Sequence, residues 1–378
     1  MNGALGEVRL RYGMRRVSLR RGIAPLRAAF WAWSAFVALM LGWGATWAVQ
    51  HGCGDWRVFV SAGSLAGTHA LVSPVDAWRT FVYLPATAWA FAPFAGMPLP
   101  VSFCVNGVVM LCCAALAGAL AARTYGLGVR AACAAFVLWP PVIYAAAIIG
   151  QNAPFGLLLA QLSIAGFALR SPALTAIPIG LLLYKPTYAL PLIALLLLRR
   201  RVGELGIVAA AGVAWYAGSV AATGGDWGWP AATLRLIASY APGDFAVNGP
   251  FAVGLPGLMM LAGIGVPTVC AVCLGVAAAA AVALQRAGPL EAASAASLVG
   301  VALSPHAWAY DAALAAPMIA FAASRGEEPL RTRALVVLAT VAPLFVVSHQ
   351  LGFDPLGLVL VGGTLMWIAR RLRRAAAD

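Results

Sequence analysis

The feature that most constrains this chain is a series of long apolar runs, each holding no more than one charged residue. A helix that spans a bilayer needs about 20 consecutive apolar residues, or somewhat fewer where the bilayer thins. Twelve runs approach that length: 27–49, 81–97, 100–122, 129–149, 152–169, 172–198, 202–222, 267–285, 290–304, 308–323, 332–348 and 355–369. The pattern predicts an all-α, polytopic membrane protein with twelve transmembrane helices, in which residues 27–369 form a single domain.

Composition excludes the other large classes of protein. Hydrophobic residues make up 62% of the 378 residues and charged residues 10%, whereas soluble domains average about 45–50% and about 25%. A soluble enzyme, a disordered chain and a small disulfide-stapled domain are therefore ruled out. The seven cysteines show no metal-ligand spacing; six lie in apolar runs, and Cys53 is expected in an exposed loop.

The basic residues indicate how the chain is oriented. The net charge is +13, and 24 of the 25 basic residues are arginine. They cluster in the tail 1–26, at residues 199–201 and in the tail 370–378. Such clusters beside apolar runs are typical of cytoplasmic anchors on anionic lipid. Nucleic-acid binding is not expected, because no aromatic residues separate the arginines as stacking platforms. The pattern predicts an inner (plasma) membrane protein with both termini in the cytoplasm.

Two long segments between the runs are expected on the outer face, at 50–80 and 223–266. The first is predicted to carry an interfacial helix from Trp56 to Leu65. In the second, Gly and Pro interrupt the apolar stretch 251–264, which favours an interfacial or re-entrant helix over a span. The same topology puts Gln151 on the cytoplasmic side.

Asp55 is the sharpest catalytic candidate. It follows the first run directly and stands between Gly54 and Trp56, at the level of the lipid headgroups. Partial desolvation there is expected to raise the pKa of a carboxylate toward the range of a general base. A structural role is left open, because Asp is a favoured N-cap for the helix that starts at Trp56.

Lys185 and His306 are two further anomalies. Lys185 is the one lysine of the chain and lies inside an apolar run before Pro186, so it is a functional candidate that could bind a lipid-linked phosphate. The alternative is that its side chain snorkels to the interface. His306 follows Ser304 and Pro305 at the outer start of a run; either a packed or a functional histidine is consistent with that place. No histidine or carboxylate cluster points to a metal.

Five short motifs in a fixed order give the chain a family resemblance. They are Asp55, Tyr83-Leu84-Pro85, Gly150-Gln151-Asn152, Lys185-Pro186 and Ser304-Pro305-His306-Ala307-Trp308. In this order the chain resembles glycosyltransferase family 87, the bacterial glycosyltransferases that use polyprenyl-phosphate sugars. The resemblance extends from the first apolar run to about Phe321.

The resemblance implies a GT-C fold and a mechanism without a cofactor or metal. A sugar, most often mannose, would pass with inversion from a polyprenyl phosphate donor to a hydroxyl of a lipid or glycan acceptor. Asp55 would be the general base, and the histidine of the pattern falls on His306. Tyr83 and Trp308 belong to the matched motifs and are expected to line the substrate site. Gln151 and Asn152 also match, but the topology above places them far from Asp55.

The charge and position of three cations add to this picture independently of the family. Lys185, Arg57 and Arg79 are expected to offset the charge of the donor phosphate. Two other hypotheses stay open on the sequence. One is a secondary transporter or a flippase of lipid-linked sugars, although the two similar halves typical of such carriers are not visible. The other is a non-catalytic membrane partner in envelope assembly.

Overall fold

A computed structural model of the chain describes most of the predicted membrane domain. The described residues are 42–72, 80–325 and 351–377, together with Ala35 and Leu39. Several predicted features lie outside them: the tail 1–26, most of the run 27–49, Arg79 and the run 332–348.

The regular secondary structure of the described residues is helical, as predicted. Helices of seven or more residues are numbered here in chain order: α1 Trp56–Leu65, α2 Leu99–Tyr125, α3 Val129–Val137, α4 Pro140–Ile149, α5 Ala153–Leu169, α6 Pro172–Leu182, α7 Pro186–Leu198, α8 Val202–Ala222, α9 Trp229–Asn248, α10 Leu255–Leu261, α11 Val266–Arg286, α12 Pro289–Leu303, α13 Ala316–Arg325 and α14 Pro355–Ala377. A 3-10 helix, Ala309–Ala315, precedes α13.

The described helices make the chain a multi-pass membrane protein, but they do not reproduce twelve spans. Four are long and apolar enough to cross a membrane, namely α2, α8, α11 and residues Pro355–Arg374 of α14, and the pair α3 and α4, bent by 56°, makes a fifth if counted as one broken span. Proline explains part of the difference, because Pro186 starts a new helix inside the predicted run 172–198 and so divides it into two shorter helices. Proline is tolerated at the first position of a helix, because a backbone N–H at that position would have no intrahelical partner.

The run 81–97 forms short helical turns instead of a span, the longest of them the four residues Ala88–Phe91. Without that crossing, α2 leads away from Asp55, and α3 and α4 lead back to it. The Asp55 backbone N–H donates to the carbonyl oxygen of Ile149 at 2.9 Å. The prediction that Gln151 lies on the opposite side from Asp55 is therefore wrong.

The run 172–198 is a helical hairpin rather than one span. At one end, Gly166 of α5 packs against the backbone of Thr175 in α6, and the Arg201 guanidinium, just after α7, lies 4.9 Å from the Phe167 ring centroid. At the other end, the Tyr184 hydroxyl donates to the carbonyl oxygen of Asn152 at 3.3 Å. Lys185 therefore lies in the break between α6 and α7, level with the start of α5.

The arginine-rich ends of several helices gather at the end of the molecule opposite Asp55. Arg199 donates to the carbonyl oxygen of Leu284 at 2.7 Å, near the C-terminus of α11. Glu291, at the start of α12, pairs with Arg371 near the end of α14. Arg170 follows the last residue of α5 and lies at this same end.

The segment 223–266 contains two helices. The 20-residue α9 was not predicted, because its sequence mixes apolar residues with Arg235, Asp244 and Asn248. The apolar stretch 251–264 forms α10, which has seven residues. At 1.5 Å per residue that helix is about 10 Å long, too short to span a bilayer.

Candidate active site

The two residues before Asp55 have left-handed backbone conformations. Cys53 and Gly54 have φ values of 60° and 54°, and a Cβ on Gly54 would lie 2.9 Å from the Ile149 Cα. The close approach of the two chain segments therefore requires glycine at this position. Cys53 is 1% exposed, so the expectation that it lies in an exposed loop is wrong.

The Asp55 carboxylate is held by an amide instead of by a helix. Helix α1 runs from Trp56 to Leu65 as predicted, but Asp55 makes no side-chain capping hydrogen bond to it. Gln151 Nε2 donates to Asp55 Oδ2 at 2.7 Å, and Gln151 Oε1 accepts from the Tyr83 hydroxyl at 2.8 Å. Since a carboxylate can only accept, this chain of bonds fixes which way the Gln151 amide faces.

Asn152 links this group to the hairpin break. The Tyr184 hydroxyl contacts the Asn152 side-chain oxygen at 3.4 Å, and the Tyr83 hydroxyl contacts the same oxygen at 3.5 Å. The Tyr83 and Tyr184 rings stack with centroids 6.1 Å apart. The Gly150-Gln151-Asn152 motif therefore contacts both Asp55 and Tyr83. The topology predicted from the sequence had placed this motif on the opposite side from Asp55.

Lys185 forms a buried ion pair rather than snorkelling. Its Nζ lies 2.5 Å from Asp311 Oδ1 and 3.1 Å from the Tyr188 hydroxyl, which also donates to Asp311. Lys185 is 7% exposed and Asp311 2%. The ammonium also lies 4.9 Å from the centroid of the Tyr310 ring, where the face of the ring attracts a cation.

Asp311 connects Lys185 to the loop that carries His306. Its Oδ2 accepts from the Trp308 backbone N–H at 2.9 Å. The Trp308 indole N–H in turn donates to His306 Nε2 at 3.1 Å. On the other side, an isolated bridge joins Trp308 to Ala252. The loop is thus held between the ion pair and the segment that follows α9.

His306 Nδ1 faces a carboxylate of α9, Asp244, whose Oδ2 lies 3.4 Å away. Burial and then the positive charge of Lys185 lower the pKa of His306 from 6.5, and the negative charges of Asp244 and Asp311 act in the opposite direction. His306 is therefore neutral at pH 7.

The predicted residues converge on one region. The Lys185 ammonium lies 5.8 Å from the centroid of the Tyr83 ring, which links the ion pair to the group that holds Asp55. Asp55, Lys185, His306, Tyr83 and Trp308 thus belong to one cluster. Arg57 is exposed in the first turn of α1, and Arg79 lies outside the described residues.

Sequence reasoning missed Asp311 and Asp244 as members of the site. For Asp311 a signal existed, because an acid and a lysine that both lie in apolar runs are expected to pair with each other. Asp244 gave no comparable signal, since it stands in a mixed segment between runs. Tyr188 and Tyr310 read as ordinary aromatic residues beside a run.

A small cavity of about 10 Å³ lies beside the ion pair, between α7 and α12, which is enough for about one water molecule. Its lining includes Tyr188, Pro191, Gly300, Ser304 and Asp311. In the part of the chain that the structure describes, no three His, Cys, Asp or Glu side chains are grouped to hold a metal ion.

Comparison with known proteins identifies the family. The family model of glycosyltransferase family 87 matches residues 81–305. No curated protein and no solved structure matches the chain. Asp55 and His306 lie just outside the matched residues, whereas Tyr83, Gln151 and Lys185 lie within them. Since the match covers more than half of the sequence, the chain belongs to glycosyltransferase family 87 and is a membrane glycosyltransferase.

Proposed function

We propose that the protein transfers a sugar from a polyprenyl phosphate donor to a hydroxyl of a lipid or glycan acceptor, with inversion. Mannose is the first candidate for this sugar. The observation that carries this proposal is the single cluster formed by a held carboxylate, Asp55, and a buried cation, Lys185. A lipid phosphate is already a good leaving group, so the reaction needs a base, a cation and room for both substrates.

Asp55 acts as the general base in this proposal. Its carboxylate takes the proton of the acceptor hydroxyl as that oxygen attacks the anomeric carbon of the sugar. The bond between the anomeric carbon and the phosphate oxygen breaks, and the electron pair leaves with the lipid phosphate. Gln151 holds one carboxylate oxygen at 2.7 Å, which supports a fixed orientation of the base during the attack.

Lys185 binds the donor phosphate in this proposal by exchanging partners. In the free protein its charge is balanced by Asp311 at 2.5 Å. A phosphate oxygen would replace the Asp311 carboxylate, while Tyr188 keeps its hydrogen bond to Asp311. Arg57 and Arg79 would add positive charge from the segment that follows the first run.

The reaction takes place on the extracytoplasmic face in this proposal. The arginines that end α2, α5 and α14 lie at the end opposite Asp55, and clustered arginines favour the cytoplasmic side. The revised course of residues 81–149 moves Arg123, Arg130 and Arg170 to that end. Twelve spans that start from a cytoplasmic N-terminus put all three on the outer side, where arginine is unusual.

Replacement of Asp55 by Asn tests the proposed base. Because Asn cannot accept the acceptor proton, we expect transfer from radiolabelled polyprenyl-phosphate mannose to fall by about 10²- to 10⁴-fold. Asp226→Asn is the matched control, since Asp226 lies in the turn before α9 and its Oδ1 accepts from the Gly228 N–H at 2.7 Å. Equal rates for Asp55→Asn and wild type, at equal expression, would disprove the assignment. Transbilayer movement of the donor without transfer would instead support a flippase.

A further inference from the structure

The Asp244 carboxylate is fixed on α9 by neighbours one turn away on each side. The Tyr240 hydroxyl donates to Asp244 Oδ1 at 2.6 Å, and Asn248 Nδ2 donates to the same oxygen at 2.7 Å. Asp244 is 6% exposed. Burial of a carboxylate is costly unless its oxygens are paired. With Oδ1 satisfied twice, Oδ2 makes no hydrogen bond and lies 3.4 Å from His306 Nδ1.

The two partners of His306 determine which ring nitrogen carries the proton. An indole N–H can only donate, so His306 Nε2 must accept from Trp308. In the neutral ring the proton is therefore on Nδ1, where it faces the Asp244 carboxylate at 3.4 Å. Protonation of Nε2 would break the Trp308 bond, in agreement with a neutral ring at pH 7.

We infer that Asp244 is a positioning residue that holds His306 in the Nδ1–H form, so that His306 Nε2 can accept a hydrogen bond from a hydroxyl of the acceptor. In the free protein the Trp308 indole N–H occupies that lone pair, so the acceptor hydroxyl would take the place of the indole. A neutral ring with a lone pair on Nε2 matches an O–H group and has no proton there to offer a phosphate oxygen. The assignment of the ligand rests on the proposed function, whereas the protonation of the ring does not.

The first test measures the ring itself and needs no activity. The chain has four histidines, so the full-length protein labelled with ¹³C-histidine gives four ring signals, and His306→Gln identifies the one from His306. We expect the His306 signal to report the Nδ1–H form at pH 7. Asp244→Asn should lower the pKa of His306 further, because an opposite charge is removed. Lys185 and Asp311, the other charges near the ring, remain unchanged.

Two NMR results would overturn the inference. One is an Nε2–H ring in the wild-type protein. The other is a His306 pKa in Asp244→Asn that equals the pKa in the wild-type protein and in Asp226→Asn, the control in the turn before α9. Thermal unfolding in detergent checks that each variant is folded. Because these signals do not depend on turnover, they stand even if the proposed reaction fails.

The second test uses transfer kinetics. Asp244→Asn and His306→Gln should each raise the acceptor KM by about 2- to 10-fold, the loss expected for one neutral hydrogen bond. The donor KM should stay within about 2-fold. The double variant should lose no more than His306→Gln, because Asp244 acts through His306. Multiplied losses, or a change confined to the donor KM, would overturn the role given to Asp244.

Discussion

At the scale of single residues, scarcity makes each buried charge informative. With 10% of its residues charged, the chain has few carboxylates or cations that could be placed in an apolar interior by chance. The ion pair between Lys185 and Asp311, together with the Tyr188 hydroxyl, offsets the desolvation cost of both charges. A buried pair of this kind adds little net stability, but loss of one partner strands the other.

Variants of the ion pair separate its structural role from donor binding. We expect Lys185→Met to lower the free energy of unfolding by about 3–5 kcal/mol, because Asp311 keeps a buried charge without its cation. The double variant Lys185→Met/Asp311→Asn should recover most of that loss in thermal unfolding. It should still show a higher KM for the donor, with the acceptor KM less affected. A double variant that is folded and uses the donor normally would remove Lys185 from the phosphate site.

At the scale of elements, two breaks between helices create the site. The left-handed turn at Gly150 ends α4, and the break at Lys185 separates α6 from α7. Each break brings polar side chains to the same level of the fold, where continuous helices would have carried the residues across. A Cβ on Gly150 would lie 2.5 Å from the Trp56 Cβ, so this turn also presses against α1.

Alanine at Gly150 tests the importance of this contact. Gly150 and Gly263 have nearly the same φ, 72° and 76°, but a Cβ on Gly263 meets nothing within 4 Å. Both substitutions cost about 1–2 kcal/mol of backbone strain. Gly150→Ala should cost about 1–3 kcal/mol more, because α1 has to move. It should also reduce transfer, since Asp55 precedes α1. Equal stability of the two variants in thermal unfolding would mean that the contact with Trp56 adds nothing to the destabilisation.

At the scale of the whole molecule, the arginines and the site occupy opposite ends. Arg170, Arg199 and Arg371 lie near the ends of α5, α7 and α14 that point away from Asp55. By the positive-inside rule, this arrangement supports the proposal that the site faces outward. Val213 on α8 and Leu274 on α11 are exposed by 70% and 71%, as expected of helices that contact lipid.

Cysteine labelling tests this orientation. Cys53 is buried and is a poor reporter, so we choose Thr68→Cys at the site end and Gly128→Cys between α2 and α3, both exposed positions. A membrane-impermeant maleimide should label Thr68→Cys in intact cells and Gly128→Cys after permeabilisation. Labelling of both in intact cells would restore the span at 81–97, and the reverse pattern would turn the site to the cytoplasm.

The sequence by itself determined the class of the protein and singled out several members of its candidate site. Long apolar runs indicate a membrane, because a bilayer is where so many apolar side chains avoid water, and a helix satisfies its own backbone hydrogen bonds there. The helix from Trp56 to Leu65 was predicted to the residue, and Asp55, Lys185 and His306 stood out because each was polar where the surroundings were not. These are local properties, and hydropathy and residue type record them directly.

Tertiary structure decided how those residues meet. Gln151 is 96 positions from Asp55, and Asp311 is 126 positions from Lys185, so no local pattern joins them. A hydropathy run does not show whether a proline bends it into a hairpin or starts a new helix, and one misread run, 81–97, reversed the side of everything up to residue 170. The partner of each polar group was fixed by packing, because a buried charge or amide is stable only where the fold supplies its counterpart.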